Sequence, residues 1–125
     1  MSIERYMVSG ELEPASHYCH VVKAGGFVWL SGMVGMKADG TIPEGTVEQF
    51  EIALKTIDTC LREAGGKSSQ IVKVQIFLTD ISERSSINPI RIEYFGDHKP
   101  ASTLVEVSAL VDPRMSCLLY TSPSP

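Results

Sequence analysis

The chain has 125 residues, 43% of them hydrophobic, and a formal net charge of -4. That length suits one domain, able to bury roughly two-thirds of its unfolded surface. The acidic balance, with no cluster of three or more Lys/Arg, argues against a nucleic-acid partner, because phosphate contacts need a basic face. No apolar run approaches the length of a membrane span, and Met1-Ser2-Ile3-Glu4-Arg5 leads into polar sequence without a signal-like core. No membrane partner is expected, and cytoplasm is the expected compartment. Cys19, Cys60 and Cys117 form no CxxC pair, and their odd number argues against a disulfide framework.

In chain order, Ile3 to Val8 reads as a short edge strand and Glu11 to Ser16 as loop. Tyr18 to Lys23 reads as a strand, with Cys19 and Val21 on one face and Tyr18, His20 and Val22 on the other. After the Ala24-Gly25-Gly26 turn, Phe27 to Leu30 reads as a deeply buried strand that continues to Met36 and completes a hairpin. Gly32 within it suggests a bulge or a close backbone approach. Lys37 to Gly45 is polar loop. Thr46 opens a helix, with Gln49 as its capping-box partner. Val47, Phe50, Leu54, Ile57, Leu61 and Ala64 form its apolar stripe, and Gly65-Gly66 ends it.

Ile71 to Thr79 alternates as a half-buried strand, and Ser82 to Phe95 as a second helix whose Pro89 should kink it or delay its start. Gly96 suits a left-handed helix end. Pro100 keeps Lys99 out of the helical region and opens an extended run. Thr103 to Val111, apolar apart from Glu106 and Ser108, reads as a buried strand. The elements describe an α+β single domain, a mixed β-sheet with two helices on one face. The apolar face of Phe27 to Val34 is too large for one helix stripe, so part of it should lie between subunits.

A polar turn feeding a strand is a usual place for a ligand site. Here that turn carries Tyr94-Phe95-Gly96 followed by Pro100-Ala101-Ser102-Thr103-Leu104-Val105-Glu106-Val107. Together with Tyr18, Lys23-Ala24-Gly25-Gly26, Ser31-Gly32, Glu48-Gln49, Val72-Lys73-Val74, Phe77-Leu78-Thr79-Asp80 and Asn88, this stretch resembles the reactive intermediate deaminase (Rid, or YjgF) family. The resemblance implies a chorismate-mutase-like fold and a homotrimer with clefts between subunits. It implies hydrolysis of enamines and imines, 2-imino acids giving 2-keto acids and ammonia, without metal or cofactor. Ser102 stands where the family's deaminases carry the arginine that holds the substrate carboxylate. The resemblance spans roughly residues 14 to 115, and the domain is expected over residues 1–116. Residues 117–125 depart from the family's last strand, which is rich in Val, Ile and Glu and whose glutamate borders the pocket. That tail is expected to be a truncation scar, or else a divergent native terminus. As a scar it would leave the central sheet short of a strand, although Cys117 to Thr121 is apolar enough to imitate half of one, which Pro123 and Pro125 cannot continue in a sheet interior.

Carried over by residue, the resemblance implies a pocket of Tyr18, Ser31, Gly32, Asn88 and the backbone at Ser102 and Thr103. Imine hydrolysis needs a carboxylate anchor, a proton donor to nitrogen and a positioned water. Tyr18 can donate or accept a proton, and amides around Ser102 can hold an oxyanion more weakly than a guanidinium. His20 should share a face with Tyr18 and could act as acid or base; its plainer role is a half-exposed histidine bonded to backbone. His17 and Cys19 share a strand face from which His20 points away, too few ligands for zinc. Arg91, three residues after Asn88 on the helix, and Arg114, after Asp112-Pro113, are candidates for a displaced anchor. The ligand implied is a small carboxylate-bearing metabolite in an inter-subunit cleft. The alternatives are a trimer that binds metabolites without catalysis, a divergent enzyme with another substrate, and a ribonuclease or translation inhibitor, which the charge favours least.

Overall fold

A computed structural model describes residues 2–11, 13–14 and 16–122. Its elements run β1 (Ile3–Tyr6), β2 (Val21–Ala24), β3 (Phe27–Leu30), β4 (Met33–Val34), α1 (Thr46–Glu63), β5 (Lys73–Leu78), α2 (Arg84–Phe95), β6 (Ala101–Glu106) and β7 (Cys117–Ser122). The fold is α+β. One ladder has the order β1-β2-β3 and the other β4-β7-β5-β6, mixed because β5 and β6 run parallel. The amphipathic α1 packs on β3, β4 and β7, with α2 beside it. Phe50, Ala53, Leu54, Ile57, Cys60 and Leu61 form its buried face against Val74, Ile76, Leu78 and Leu119.

Several elements differ from the sequence expectation. The first hairpin strand begins at Val21, so Tyr18 and Cys19 lie in the segment before it. The run from Phe27 breaks at Ser31-Gly32, where β3 ends and β4 begins. Gly32 marks a close approach: a Cβ there would sit 3.0 Å from Leu118 Cδ2. β3 is an edge strand with Phe27 and Trp29 exposed, not a deeply buried one. β6 is also an edge strand, largely exposed, and stops at Glu106. Apolar composition alone cannot tell an edge strand from a central one. α2 starts at Arg84 behind a short 3-10 turn, Ile81–Glu83, and carries Pro89 inside. Gly96 closes it at φ 55°, ψ -128°, a positive-φ conformation outside the left-handed helical region and open to glycine at low cost.

The C-terminal segment pairs within the sheet over more than the half strand expected of it. Cys117–Ser122 is β7, a six-residue strand in the middle of its ladder, antiparallel to both β4 and β5. Cys117, Leu119 and Thr121 are buried. The central sheet is not short of a strand. Alternation of Cys117, Leu119 and Thr121 is enough to fill the slot whatever the residues between them. Pro123 and Pro125 lie outside the described residues.

The expected capping box does not form. The residue before α1 is Gly45, which makes no side-chain cap, and Thr46 Oγ1 instead donates to Ser116 Oγ at 2.9 Å. Gln49 is fully buried. Its Nε2 donates to the carbonyls of Pro43 and Arg114, both at 2.8 Å, and its Oε1 accepts from the Ser116 N–H at 2.8 Å. Two carbonyls and one N–H admit a single orientation of the amide. Gly35 lies directly over this residue: a Cβ there would fall 2.4 Å from Gln49 Cα. One glutamine thus ties the loop before α1 to the loop before β7.

Candidate functional site

The expected site residues fall into two groups on the single chain. The first lies between the segment before β2 and the β4–β7 pair. Tyr18, His20 and Gly32 line a cavity of about 190 Å³ with Met33, Met115 and Leu118, and the carboxylate residues Glu11 and Glu13 edge it. His20 is buried rather than half-exposed, and its Nδ1 accepts from the Val8 N–H at 2.9 Å. That bond places the proton of the neutral ring on Nε2. Tyr18 is 48% exposed, so its hydroxyl can meet a ligand arriving from outside. Ser31 Oγ donates to the Cys19 carbonyl at 2.6 Å and its N–H to the His20 carbonyl at 3.1 Å, so Ser31 holds the segment that positions Tyr18 and His20.

The second group lies between α2 and β6. Asn88 and Arg91 line an open groove of about 430 Å³ together with Leu104. They share a helix face, as their spacing requires. Arg91 Nη2 donates to Ser102 Oγ at 2.7 Å. A guanidinium therefore does stand at the start of β6, delivered by the helix instead of the strand. The backbone adds to it. Ala101 N–H bonds to the Val72 carbonyl and Val107 N–H to that of Leu78, both inward to β5. Alternation along a parallel ladder then points the Ser102 and Leu104 amides to the open edge. Thr103 faces the other side of the sheet, where its Oγ1 accepts from Lys73 Nζ at 2.9 Å.

Arg114 joins neither group. Its Nε and Nη2 fork onto Asp112 at 3.1 and 2.9 Å, and its carbonyl is one of the Gln49 acceptors. The hydrogen bonds from Arg114 hold the Asp112 carboxyl down at about 2. With Nε and Nη2 on Asp112, Arg114 is a loop residue that lines neither cavity, and the single chain does not bring it to the displaced-anchor position expected of it. Sequence reasoning gave Gln49 the wrong partners and missed Gly35, which packs on it, and Arg84, which lines the α2 groove. The i, i+4, i+7 spacing of Arg84, Asn88 and Arg91 was a signal that could have found the last.

The family model described as Endoribonuclease L-PSP matches residues 8–117. The chain belongs to the Rid family. It is 39% identical over 100 residues to a RutC family protein of Aquifex aeolicus, covering 78% of this chain and 80% of that one. It is 32% identical over 113 residues to Reactive Intermediate Deaminase A, chloroplastic, of Arabidopsis thaliana, covering 87% of this chain and 60% of that one. Among solved structures, a Rid family protein of Yersinia pestis, YyfA, superposes with a TM-score of 0.91 at 27% identity over 98% of both chains. The yeast protein YEO7_yeast does so with a TM-score of 0.92 at 26% identity, again over 98% of both. Rid membership accounts for the chain's two ladders and paired helices. Among the described residues, no helix is long and apolar enough to cross a membrane.

Proposed function

We propose that the protein hydrolyses reactive 2-imino acids to 2-keto acids and ammonia, in clefts between the subunits of a homotrimer. The observation that carries this reading is the 2.7 Å bond from Arg91 to Ser102, which supplies the carboxylate anchor that Ser102 itself cannot. The outward Ser102 amide would share the carboxylate, and the Tyr18 hydroxyl, with His20 behind it, would protonate nitrogen or orient the attacking water. The two groups line different cavities of one chain, and assembly would bring one protomer's Tyr18 cavity against its partner's α2 groove. Phe27, Trp29 and Val105, apolar and exposed on edge strands, suit burial between protomers. Three free cysteines suit a reducing compartment, and cytoplasm is the one proposed.

The test is the rate of keto-acid formation from freshly generated 2-iminobutanoate, with sedimentation run on the same sample. Turnover by a species of trimer mass is expected. Charged hydrogen bonds are worth about 1.5–3 kcal/mol each, so Arg91→Ala should lower catalytic efficiency about a hundredfold. Full activity in Arg91→Ala would show that another group binds the carboxylate. A second reading, a trimer that binds metabolites without catalysis, is favoured by β7. That strand holds no glutamate, and Leu118 occupies the wall of the Tyr18 cavity. Binding of keto acids with no turnover of any imine is the outcome that reading expects.

A further inference from the structure

The α2 groove carries more positive charge than one carboxylate requires. Arg84, Asn88 and Arg91 occupy positions i, i+4 and i+7 of α2, and all three line the same open groove. Arg91 donates to Ser102, a neutral partner. Among the described residues the ion pairs are Arg62 with Asp58 and Arg114 with Asp112, so neither groove arginine has a carboxylate partner. The Glu106 carboxylate at the end of β6 accepts from the Ile81 N–H at 2.9 Å. Two guanidiniums without an ion-pair partner in one groove, with the Glu106 carboxylate held on Ile81 at its rim, stand out in a chain of net charge -4. Seven residues of helix separate their Cα atoms by roughly 10 Å. Side chains of that length can close on a short molecule lying over Asn88, with Leu104 offering an apolar floor to its carbon chain.

We propose that this groove selects dianions: 2-imino acids with a second, distal carboxylate. Arg91 and the outward Ser102 amide hold the carboxylate beside the imine carbon, and Arg84 holds the distal one through its planar fork. Asn88, between them, can donate to either. The proposal rests on the deaminase reading of the same site and names its substrate class.

The experiment is calorimetric titration of the full chain at fixed ionic strength with two stable keto acids, 2-oxoglutarate and 2-oxobutanoate. The dicarboxylate should bind about tenfold or more tightly, the worth of one charged contact in an open groove. In Arg84→Gln that preference should shrink to about twofold or less. Equal affinities in the unmutated protein, or a preference that persists in Arg84→Gln, would overturn the inference. Turnover separates the two readings. If no imine is hydrolysed but the keto-acid preference depends on Arg84, the deaminase reading fails and the dianion groove stands. If 2-iminobutanoate is hydrolysed and no dicarboxylate preference appears, the groove inference fails alone.

Discussion

The seam between α1 and β7 and the groove between α2 and β6 are built on the same sheet, to opposite ends. At the seam, Gln49 is fully buried and its amide meets three backbone groups at 2.8 Å. In the groove, Asn88 and Arg84 are exposed, and among the described residues Arg91 hydrogen-bonds to the hydroxyl of Ser102, a neutral partner. A buried amide must be fully bonded or it costs the desolvation of every unmet group. An exposed guanidinium has no such demand, because water solvates it until a ligand arrives. The difference separates residues that hold the fold from residues held in reserve for binding.

Substitutions at the seam should carry the largest effects on stability. Gln49→Ala leaves two carbonyls and one N–H of partly buried loops unmet, each costing about 1 kcal/mol at the low end of the usual range, so a loss of about 3 kcal/mol is expected by urea unfolding. A loss under about 1 kcal/mol would mean that water replaces the amide, and the contrast with the groove would weaken. Gly35→Ala comes next. Its Cβ would meet the backbone of Gln49, which has no flexible end to move aside, and about 3 kcal/mol should be lost. The same measurement on Gly40→Ala is no control, since Gly40 has a φ of 88° and is strained for another reason. Arg91→Ala should by contrast cost stability only about 1 kcal/mol or less while removing most activity. A melting temperature that falls as far as in Gln49→Ala would make Arg91 a structural residue.

The smallest effect appears only in alkali. Burial pushes the Cys60 thiol up to about 12, with the Glu11 and Glu63 charges adding to it, and burial alone pushes Cys117 up to about 12. Both groups hold their protons more tightly when folded. They leave stability untouched below the ordinary thiol range and subtract from it as pH rises from about 9 toward 12, where the unfolded chain ionises first. Melting temperature followed from pH 8 to 11 should fall, and Cys60→Ala, less stable at pH 8, should fall less steeply. Both thiols should also resist a thiol reagent at pH 8 until denaturant is added, whereas fast labelling of Cys117 would show that β7 opens.

Much of this was legible in the residues themselves. The helix over Thr46–Glu63 follows from a stripe that repeats every three or four positions, and β5 from strict alternation, because both periods are properties of a local backbone. Asn88 and Arg91 share a face for the same reason. What failed were statements about neighbours. Thr46 and Gln49 have the spacing of a capping box, but Pro43, Arg114 and Ser116 offered the buried Gln49 amide partners from loops elsewhere in the chain, and those partners won. β3 and β6 are apolar enough to be central strands, yet both lie at ladder edges. Cys117–Ser122 departs from the family's last strand in composition, yet pairs between β4 and β5.

The sequence by itself determined the element types, the family, and the absence of arginine at position 102. Only the tertiary structure decided that Arg91 stands beside Ser102, that Arg84 shares its groove, and that Arg114 is tied to Asp112. The reason is physical: periodicity sets which way a side chain leaves its own element, but the element it meets is fixed by packing across the sheet, where residues 91 and 102 meet across a helix end and a turn that no local pattern can span.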